Sequence, residues 1–254
     1  MTKQIPVMEI FGPVYQGEGP LVGVQTWFLR TGGCDYRCTF CDSMHAVDPH
    51  LIAQTRRAMT CEEIAYELRE KMPQGSWLTI SGGNPAMWDL TTLIELLAVK
   101  DIKVAVETQG TLWHDWIAKC DSIAISPKGP GMGYGISYLN RVDAFYTALY
   151  SRIGEMIKTT AFLKIPILST VDLQFAEEVT RRYPDLRLYL SVGNQLPPAI
   201  DGAVLDNELQ KLRTTILDWF ADLQDMVANH HPKLAHARIF PQQHVLAYGN
   251  ARGR

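Results

Sequence analysis

Short apolar strands alternate with amphipathic helices along nearly the whole chain, and this alternation constrains the fold more than any other feature. Six segments are predicted to be strands: Val24–Arg30, Trp77–Ser81, Lys103–Glu107, Ser122–Ser126, Phe162–Leu168 and Leu186–Val192. Apolar strands that are separated by helices are typical of a parallel sheet buried on both faces. The sequence therefore predicts an α/β fold, an incomplete TIM-type (β/α) barrel of about six parallel strands.

Helical patterns lie between several of these strands. Five helices are predicted: Cys61–Met72, Leu90–Val99, Tyr138–Arg152, Val171–Tyr183 and Asp206–Ala228. Thr60 and Glu63 form a capping box at the start of the first helix. The apolar stripe of the last helix predicts that it covers the sheet or contributes to an interface. Because no linker rich in Gly, Ser or Pro divides the chain, we expect a single domain over residues 1–254.

Three segments are predicted to be loops: Gly32–Thr60, Pro127–Gly135 and Ser191–Gly202. The first contains three cysteines and the second is rich in glycine and proline, so both are long enough to be functional. The third is predicted to be a surface loop before the last helix.

The composition argues against several classes of protein. A net charge of −3 gives no basic surface for nucleic acid. No apolar stretch reaches the roughly 18 residues of a membrane span. Five cysteines, an odd number with three in one short segment, are not a disulfide framework and are typical of metal binding in a reducing compartment. We expect a soluble, cytoplasmic protein that binds neither nucleic acid nor a membrane.

Cys34, Cys38 and Cys41 form a C-x3-C-x2-C triplet directly after the first predicted strand. Three thiolates can bind three irons of a [4Fe–4S] cluster and leave the fourth iron open for a small molecule. A tetrahedral zinc site normally takes a fourth protein ligand, and no fourth cysteine lies nearby, so zinc is the weaker alternative. The spacing is that of the radical S-adenosylmethionine enzymes. Cys61 and Cys120 are isolated and are predicted to be ordinary thiols.

Polar motifs follow the next three predicted strands. They are Ser81–Pro85 (SGGNP), Glu107–Thr111 (ETQGT) and Ser126–Lys128 (SPK). Glycines after a strand let the backbone approach a ligand closely, and a carboxylate in such a place needs a cationic or N–H-rich partner. Each motif alone is compatible with a solvated loop. Because parallel strands end at one rim, we expect the motifs to form one site together.

Three smaller groups complete the candidate site. Gln16, Glu18 and Arg30 supply an amide, a carboxylate and a guanidinium, which can bind the edge of a heterocycle and a carboxylate. Ser43 follows the last cysteine by two positions and offers an oxygen ligand to Mg2+ if a substrate completes the shell. His244, in the C-terminal PQQH segment, is placed to close the site from above, although a lone histidine is more often structural.

Taken together, these motifs resemble the 7-carboxy-7-deazaguanine synthase family. The segments that carry the resemblance are EIFGPVYQGEG, FLRTGGCDYRCTFCDS, TISGGNP, VETQGT, SPK and PQQH, which occur in the order expected for the family. The cysteine triplet alone identifies only the radical S-adenosylmethionine superfamily. The QGEG, CDS, ETQG and SPK motifs narrow the resemblance to this family.

The resemblance implies a carbon–nitrogen lyase of queuosine biosynthesis. The family converts 6-carboxy-5,6,7,8-tetrahydropterin into 7-carboxy-7-deazaguanine, and ammonia leaves. A [4Fe–4S] cluster and S-adenosylmethionine generate a radical that takes hydrogen from C6 of the pterin, and Mg2+ assists the elimination. An electron donor such as flavodoxin and a homodimer are the family expectation.

The resemblance also implies a role for each site residue. The metal ligands are Cys34, Cys38 and Cys41 for the cluster and Ser43 for Mg2+. The residues that bind S-adenosylmethionine are Phe40, Gly82, Gly83, Ser126 and Lys128. The residues that bind the pterin are Gln16, Glu18, Arg30, Ser81, Glu107 and His244. Three of these residues are implied to be catalytic: Glu107, Lys128 and His244.

One position departs from the superfamily pattern. Many members have Gly-Gly-Glu where this chain has Gly82, Gly83 and Asn84, so we expect backbone groups to bind the ligand there. Three alternatives remain open at this point. They are an activase that acts on a glycine of a partner protein, a zinc-stabilised binding module without turnover, and a chain that keeps the fold but has lost activity. The activase should lack the carboxylate and guanidinium set at residues 16–30.

Overall fold

A sheet of nine strands organises the part of the chain that the computed structural model describes, which is residues 3–195, 206–249, 251 and 253. The strands are β1 (Ile5–Tyr15), β2 (Gln25–Thr31), β3 (Arg57–Met59), β4 (Trp77–Gly82), β5 (Lys103–Thr108), β6 (Ser122–Ile125), β7 (Ala161–Ile167), β8 (Arg187–Val192) and β9 (Arg238–Phe240). Their order across the sheet is β3-β1-β2-β4-β5-β6-β7-β8-β9.

Seven neighbouring strands run parallel to one another: β2, β4, β5, β6, β7, β8 and β9. Strand β1 pairs antiparallel with both β2 and β3. Among the described strands, β3 and β9 are the two edges and do not pair with each other. The barrel is therefore incomplete, as the sequence predicts. All six predicted strands are present, and β9 adds a seventh parallel strand.

The antiparallel strand β1 is absent from the sequence prediction. Gly12 and Pro13 interrupt its pattern, and both residue types normally end a strand. The structure accommodates them through an irregularity in the pairing with β2 between Phe11 and Val14. Such a bulge lets the two strands continue to pair on both sides of the interruption.

Eight helices are present in the described part of the chain. They are α1 (Pro49–Thr55), α2 (Cys61–Lys71), α3 (Thr91–Ala98), α4 (Leu139–Ile153), α5 (Ile157–Thr160), α6 (Val171–Arg182), α7 (Asp206–His230) and α8 (Gln243–Tyr248). The five predicted helices are confirmed within two residues at each end. The capping box of α2 is also confirmed, since Thr60 Oγ1 accepts from the Glu63 N–H and the Glu63 carboxylate accepts from the Thr60 N–H.

Two predicted loops need correction or qualification. The segment Gly32–Thr60 is not a continuous loop, because it contains α1 and β3. Asp48 caps α1 by accepting from the His50 and Leu51 N–H groups, a start signal that the sequence analysis did not use. Of the predicted loop Ser191–Gly202, residues 196–202 lie outside the described residues, and the first two residues belong to β8.

The long helix α7 covers the sheet. Its stripe of Leu212, Ile216, Leu223 and Val227 is buried in the main hydrophobic core. Burial of a side chain of this size stabilises the fold by about 1.5–3 kcal/mol. This packing uses the apolar face of α7 within the chain. No described helix is long and apolar enough to cross a membrane.

Candidate active site

The cysteine triplet and the ends of several parallel strands surround one cavity of about 250 Å3. Every residue that the sequence analysis assigned to the site lines it: Gln16, Glu18, Arg30, Cys34, Cys38, Phe40, Cys41, Ser43, Ser81, Gly82, Gly83, Glu107, Ser126, Lys128 and His244. The expectation that these motifs meet at one rim is therefore correct. The role of each residue stays a prediction.

The three cysteines of the triplet are free thiols in the wall of this cavity. Burial raises the pKa of Cys34 to about 11 and that of Cys41 to about 12, and it raises the pKa of Cys38 as well. The Tyr36 N–H donates to Cys34 Sγ over 3.4 Å. Because a metal binds thiolates, loading this site with iron releases the thiol protons.

The triplet fits an iron–sulfur cluster better than a single metal ion. Within residues 3–195, 206–249, 251 and 253, no three His, Cys, Asp or Glu side chains converge as the ligands of one ion would. In a [4Fe–4S] cluster each thiolate binds a different iron, so the sulfur atoms need not converge on one point. Cys61 and Cys120 lie outside the cavity, where their Sγ atoms are 3.8 Å from the carbonyl oxygens of Asp89 and Trp116.

Backbone hydrogen bonds hold the SGGNP segment against the cysteine loop. The Gly83 N–H donates to the Thr31 carbonyl over 3.1 Å, and the Asn84 N–H donates to the Gly33 carbonyl over 2.7 Å. A Cβ on Gly82 or Gly83 would collide with the Thr31 or Gly33 backbone. The two glycines are thus required by the close packing of two chain segments, a reason that the sequence analysis did not give.

The side chain of Asn84 ties the cysteine loop to the end of β5 and does not line the cavity. Asn84 is fully buried, and its Nδ2 donates to Asp35 Oδ1 over 2.8 Å. Its Oδ1 accepts from Thr108 Oγ1 over 2.9 Å, while Thr111 Oγ1 donates to Asp35 Oδ2 over 2.6 Å. The residue that replaces the superfamily glutamate is therefore part of a structural network.

The loop after β6 carries an ammonium and a hydroxyl on the cavity wall. Lys128 Nζ donates to Ser126 Oγ over 2.7 Å. Asp172, which is fully buried, accepts from the Gly131 N–H over 2.8 Å and so anchors this loop to α6. The ammonium and the hydroxyl are suited to a carboxylate or a sugar hydroxyl, and the half-exposed Phe40 ring offers a surface on which a heterocycle can pack.

Arg30 lies between a carboxylate and a hydroxyl on another wall. Its Nε donates to Glu9 Oε2 over 2.8 Å, and its Nη1 donates to Ser43 Oγ over 2.9 Å. Burial raises the pKa of Glu9, but His45 and the Arg30 guanidinium outweigh this effect and hold it at about 2. Ser43 Oγ in turn donates to Asp42 Oδ1 over 2.9 Å. Ser43 and Asp42 together present the oxygen donors that Mg2+ prefers.

Lys164 forms ion pairs with two carboxylates at the inner end of the cavity. Its Nζ lies 2.7 Å from Glu18 Oε2 and 3.3 Å from Glu107 Oε2. Burial raises the pKa of Glu18, but the charges of Lys164 and His244 lower it to about 2. Gln16 Nε2 donates to Glu107 Oε1 over 3.3 Å. The sequence analysis expected Glu107 to need a cationic partner and did not identify Lys164 as that partner.

The C-terminal PQQH segment packs on the QGEG segment and closes one side of the cavity. Gln242 Nε2 donates to Glu18 Oε1 over 3.0 Å, and the Gln243 N–H donates to the Gly17 carbonyl over 3.2 Å. The ring of His244 lies directly against Gly17, where a Cβ would meet its Nδ1 atom. The sequence analysis placed His244 correctly.

The sequence analysis missed several polar residues of the cavity wall, among them Glu9, His45, Gln109, Lys164 and Gln242. Gln109 and Gln242 belong to motifs that the analysis singled out, and Lys164 is a lone charge in an apolar strand. Glu9 begins the EIFGPVYQGEG segment, but no role was assigned to it there, and His45 carried no signal.

Three buried polar atoms in the wall make no hydrogen bond among the described residues: His45 Nε2, Ser81 Oγ and Gln109 Oε1. His45 Nε2 still lies 3.6 Å from Glu9 Oε2, which leaves Ser81 Oγ and Gln109 Oε1 as the two without a polar contact. The amide nitrogen of Gln109 is bound, since it donates to the Gly83 carbonyl over 3.0 Å and lies 3.6 Å from Cys34 Sγ. Buried polar atoms normally have hydrogen-bond partners, so these two are suited to a ligand.

Comparisons with known proteins agree with this geometry. Residues 28–131 match the Radical SAM superfamily. The chain is 40% identical to the 7-carboxy-7-deazaguanine synthase of Bacillus subtilis, with 100% of both chains covered. It is 38% identical to the protein of the same name from Bacillus cereus, with 99% of both covered. The crystal structure of QueE from Escherichia coli matches with a TM-score of 0.60 over 94% of each chain at 19% identity, a likeness of fold.

Proposed function

This chain belongs to the 7-carboxy-7-deazaguanine synthase family of radical S-adenosylmethionine enzymes, and we propose that its reaction takes place in the cavity described above. The reaction converts 6-carboxy-5,6,7,8-tetrahydropterin into 7-carboxy-7-deazaguanine with loss of ammonia, a carbon–nitrogen lyase step of queuosine biosynthesis. The observation that carries the proposal is that every residue to which the resemblance gives a site role lines this one cavity.

Cys34, Cys38 and Cys41 are the residues that would hold the [4Fe–4S] cluster. Three free thiols on one wall, without converging further ligands in the described part of the chain, fit that group. When bound, the cluster and S-adenosylmethionine supply the 5′-deoxyadenosyl radical that starts the reaction, which the protein side chains cannot generate by themselves.

The wall next to the triplet would bind S-adenosylmethionine. Lys128 and Ser126 supply an ammonium and a hydroxyl to its polar groups, and Phe40 packs against the adenine. The backbone at Gly82 and Gly83 would bind the amino group of S-adenosylmethionine, because the side chain of Asn84 belongs to the structural network and does not line the cavity. Gln109 Oε1 has no hydrogen-bond partner among the described residues, so it can accept a hydrogen bond from a donor group of the ligand.

The opposite wall would bind the pterin. Glu18 and Glu107 accept hydrogen bonds from the N–H groups of the pyrimidine ring, and Arg30 binds the carboxylate. Gln16 and Ser81 complete the binding set, and His244 covers the ring from the C-terminal segment. The catalytic assignment of Glu107, Lys128 and His244 remains part of this proposal, and all three residues line the cavity.

Ser43 and Asp42 would bind Mg2+ together with the carboxylate of the pterin. Ser43→Ala removes one oxygen ligand, so we expect the Mg2+ concentration for half-maximal turnover to rise by at least about 10-fold. Ser43→Thr keeps the hydroxyl and is expected to need no more than a few times the wild-type concentration of Mg2+. The measurement is turnover of cluster-loaded protein against Mg2+ concentration. An unchanged Mg2+ dependence in Ser43→Ala would place the ion elsewhere.

An anaerobic turnover assay tests the reaction itself. Cluster-loaded protein is mixed with a reductant, S-adenosylmethionine, Mg2+ and 6-carboxytetrahydropterin, and the products are identified by mass spectrometry. We expect 7-carboxy-7-deazaguanine and ammonia in equal amounts. If brown, cluster-loaded protein gives no product, the superfamily assignment stands and the substrate assignment is wrong.

The finer expectations on partners and location belong to the same proposal. A flavodoxin would supply the electron, the protein would act as a homodimer, and it would work in the cytoplasm. Its five free cysteines support a reducing compartment. The continuous sheet from β3 to β9 supports a single domain over residues 1–254.

A further inference from the structure

Lys164 is a buried cation in the cavity wall whose role the proposed reaction does not specify. It lies in the middle of β7, where every other side chain is apolar. Its ammonium reaches Glu18, which precedes β2, and Glu107, at the end of β5, so it joins two distant segments of the chain. A buried lysine is costly unless it is paired, and here two carboxylates provide the pairing.

The charge of Lys164 is fixed. Burial lowers the pKa of its ammonium, but Glu107 and Glu18 outweigh this effect and hold the pKa well above its usual range. A raised pKa favours a Lys164 that stays protonated near neutral pH, which suits a positioning role better than that of a general acid or base. Lys164 instead affects the position and the protonation of the two carboxylates beside it, Glu18 and Glu107.

Both carboxylates keep acceptor capacity toward the cavity. Glu18 Oε1 accepts from Ser191 Oγ over 3.3 Å and from Gln242 Nε2 over 3.0 Å, and Glu107 Oε1 accepts from Gln16 Nε2 over 3.3 Å. A carboxylate offers about four lone-pair sites, so neither group is saturated. These contacts and the two ion pairs fix where the remaining lone pairs lie.

We propose that Lys164 is a positioning residue that holds the carboxylates of Glu18 and Glu107 as a paired acceptor for the N–H groups of the substrate ring. The inference rests on the proposed function, because it assigns Glu18 and Glu107 to the pterin. Without the ammonium, two carboxylates would share a poorly hydrated volume, and one of them would take up a proton. A protonated carboxyl group has an O–H that competes with the substrate donors.

The expected signature is a change in how substrate affinity depends on pH. In the wild type, the pKa of Glu18 is about 2, so its ionisation does not affect binding near neutral pH. In Lys164→Met, a raised carboxyl pKa means that affinity falls as the pH is lowered through about 8 to 5 and recovers as it is raised. The charge of His244 also acts on Glu18, and the wild type, which has the same histidine, controls for it.

The test is equilibrium binding of 6-carboxytetrahydropterin under anaerobic conditions to cluster-loaded wild type, Lys164→Met and Lys164→Arg at several pH values. We expect Lys164→Met to bind at least about 10-fold more weakly at pH 7, with the new pH dependence. Lys164→Arg keeps the charge and should restore the flat profile. Lys158→Met, a change at an exposed lysine outside the cavity, is the matched control and should bind as the wild type does.

Two results would overturn the proposal. One is wild-type affinity and a flat pH profile in Lys164→Met. The other is unchanged affinity with reduced turnover at every pH, which would give Lys164 a role in the chemistry instead. If Lys164→Met does not fold, Lys164→Gln is measured in the same way. Failure of the wild type to bind the pterin would count against the proposed function, so the two failures are distinguishable.

Discussion

Replacing Cys38 with alanine is expected to give a folded, colourless protein that makes no 7-carboxy-7-deazaguanine. Cys38 is partly exposed and lines the cavity, so the loss of its thiol costs little packing. The cluster then loses one of its three cysteine ligands, and only two thiolates remain. Turnover should fall to the background rate, a loss of at least about a thousandfold, because the chemistry depends entirely on the cluster.

The measurement combines iron and sulfide content, visible absorption and product formation after anaerobic reconstitution. Cys61→Ala is the matched control, because Cys61 lies on α2, outside the cavity, and its thiol only approaches the Asp89 carbonyl. That variant should keep the wild-type iron content and activity. Retention of iron and activity by Cys38→Ala would contradict the three-thiolate assignment. A colourless wild type that contains zinc would favour the zinc-stabilised module.

The parallel part of the fold is predictable from sequence because its core strands are apolar runs and most of them are followed by a helix. Burial on both faces leaves a strong local signal, as in the run from Phe162 to Leu168. The antiparallel strand β1 has no such signal, since Gly12 and Pro13 interrupt it and it depends on its pairing with β2 and β3. The edge strands β3 and β9 have three residues each, too few for a periodic pattern.

The candidate site is predictable where the chemistry is local. The cysteine triplet lies within one short segment, so its spacing alone indicates a metal site, and the glycine-rich strand ends indicate a ligand site when they are taken together. Lys164 differs, because its partners Glu18 and Glu107 are 146 and 57 positions away in the sequence. Only the folded sheet brings them together. A single charge in an otherwise apolar strand is the one signal that indicates such a residue from sequence.

The structure explains why this chain has an asparagine at position 84, where it departs from the superfamily pattern. The position holds a glutamate in many superfamily members, which suggests that Asn84→Glu would improve cofactor binding. In this chain, however, the side chain is fully buried and donates to Asp35 of the cysteine loop over 2.8 Å. A glutamate would place a second carboxylate against Asp35, where no donor replaces the lost amide.

We therefore expect Asn84→Glu to be strongly destabilising. An uncompensated buried charge costs about 3–5 kcal/mol. For a chain of this size, such a cost corresponds to a decrease in the melting temperature of about 6–20 °C. Because Asp35 lies between two cluster cysteines, the cysteine loop should lose order, and S-adenosylmethionine should bind more weakly. Thermal unfolding, iron content and cofactor affinity measure the three effects.

The double variant Asn84→Glu with Asp35→Asn tests whether repulsion between the two carboxylates is the cause. Asp35→Asn replaces one carboxylate with an amide that can donate to the other, so the double variant should regain part of the lost stability and iron content. A coupling free energy of about 1–3 kcal/mol between the two changes is expected for groups in direct contact. If Asn84→Glu is as stable as the wild type and binds S-adenosylmethionine more tightly, the side chain at this position reaches the cofactor. The tie to Asp35 is then not the reason that this chain carries an asparagine.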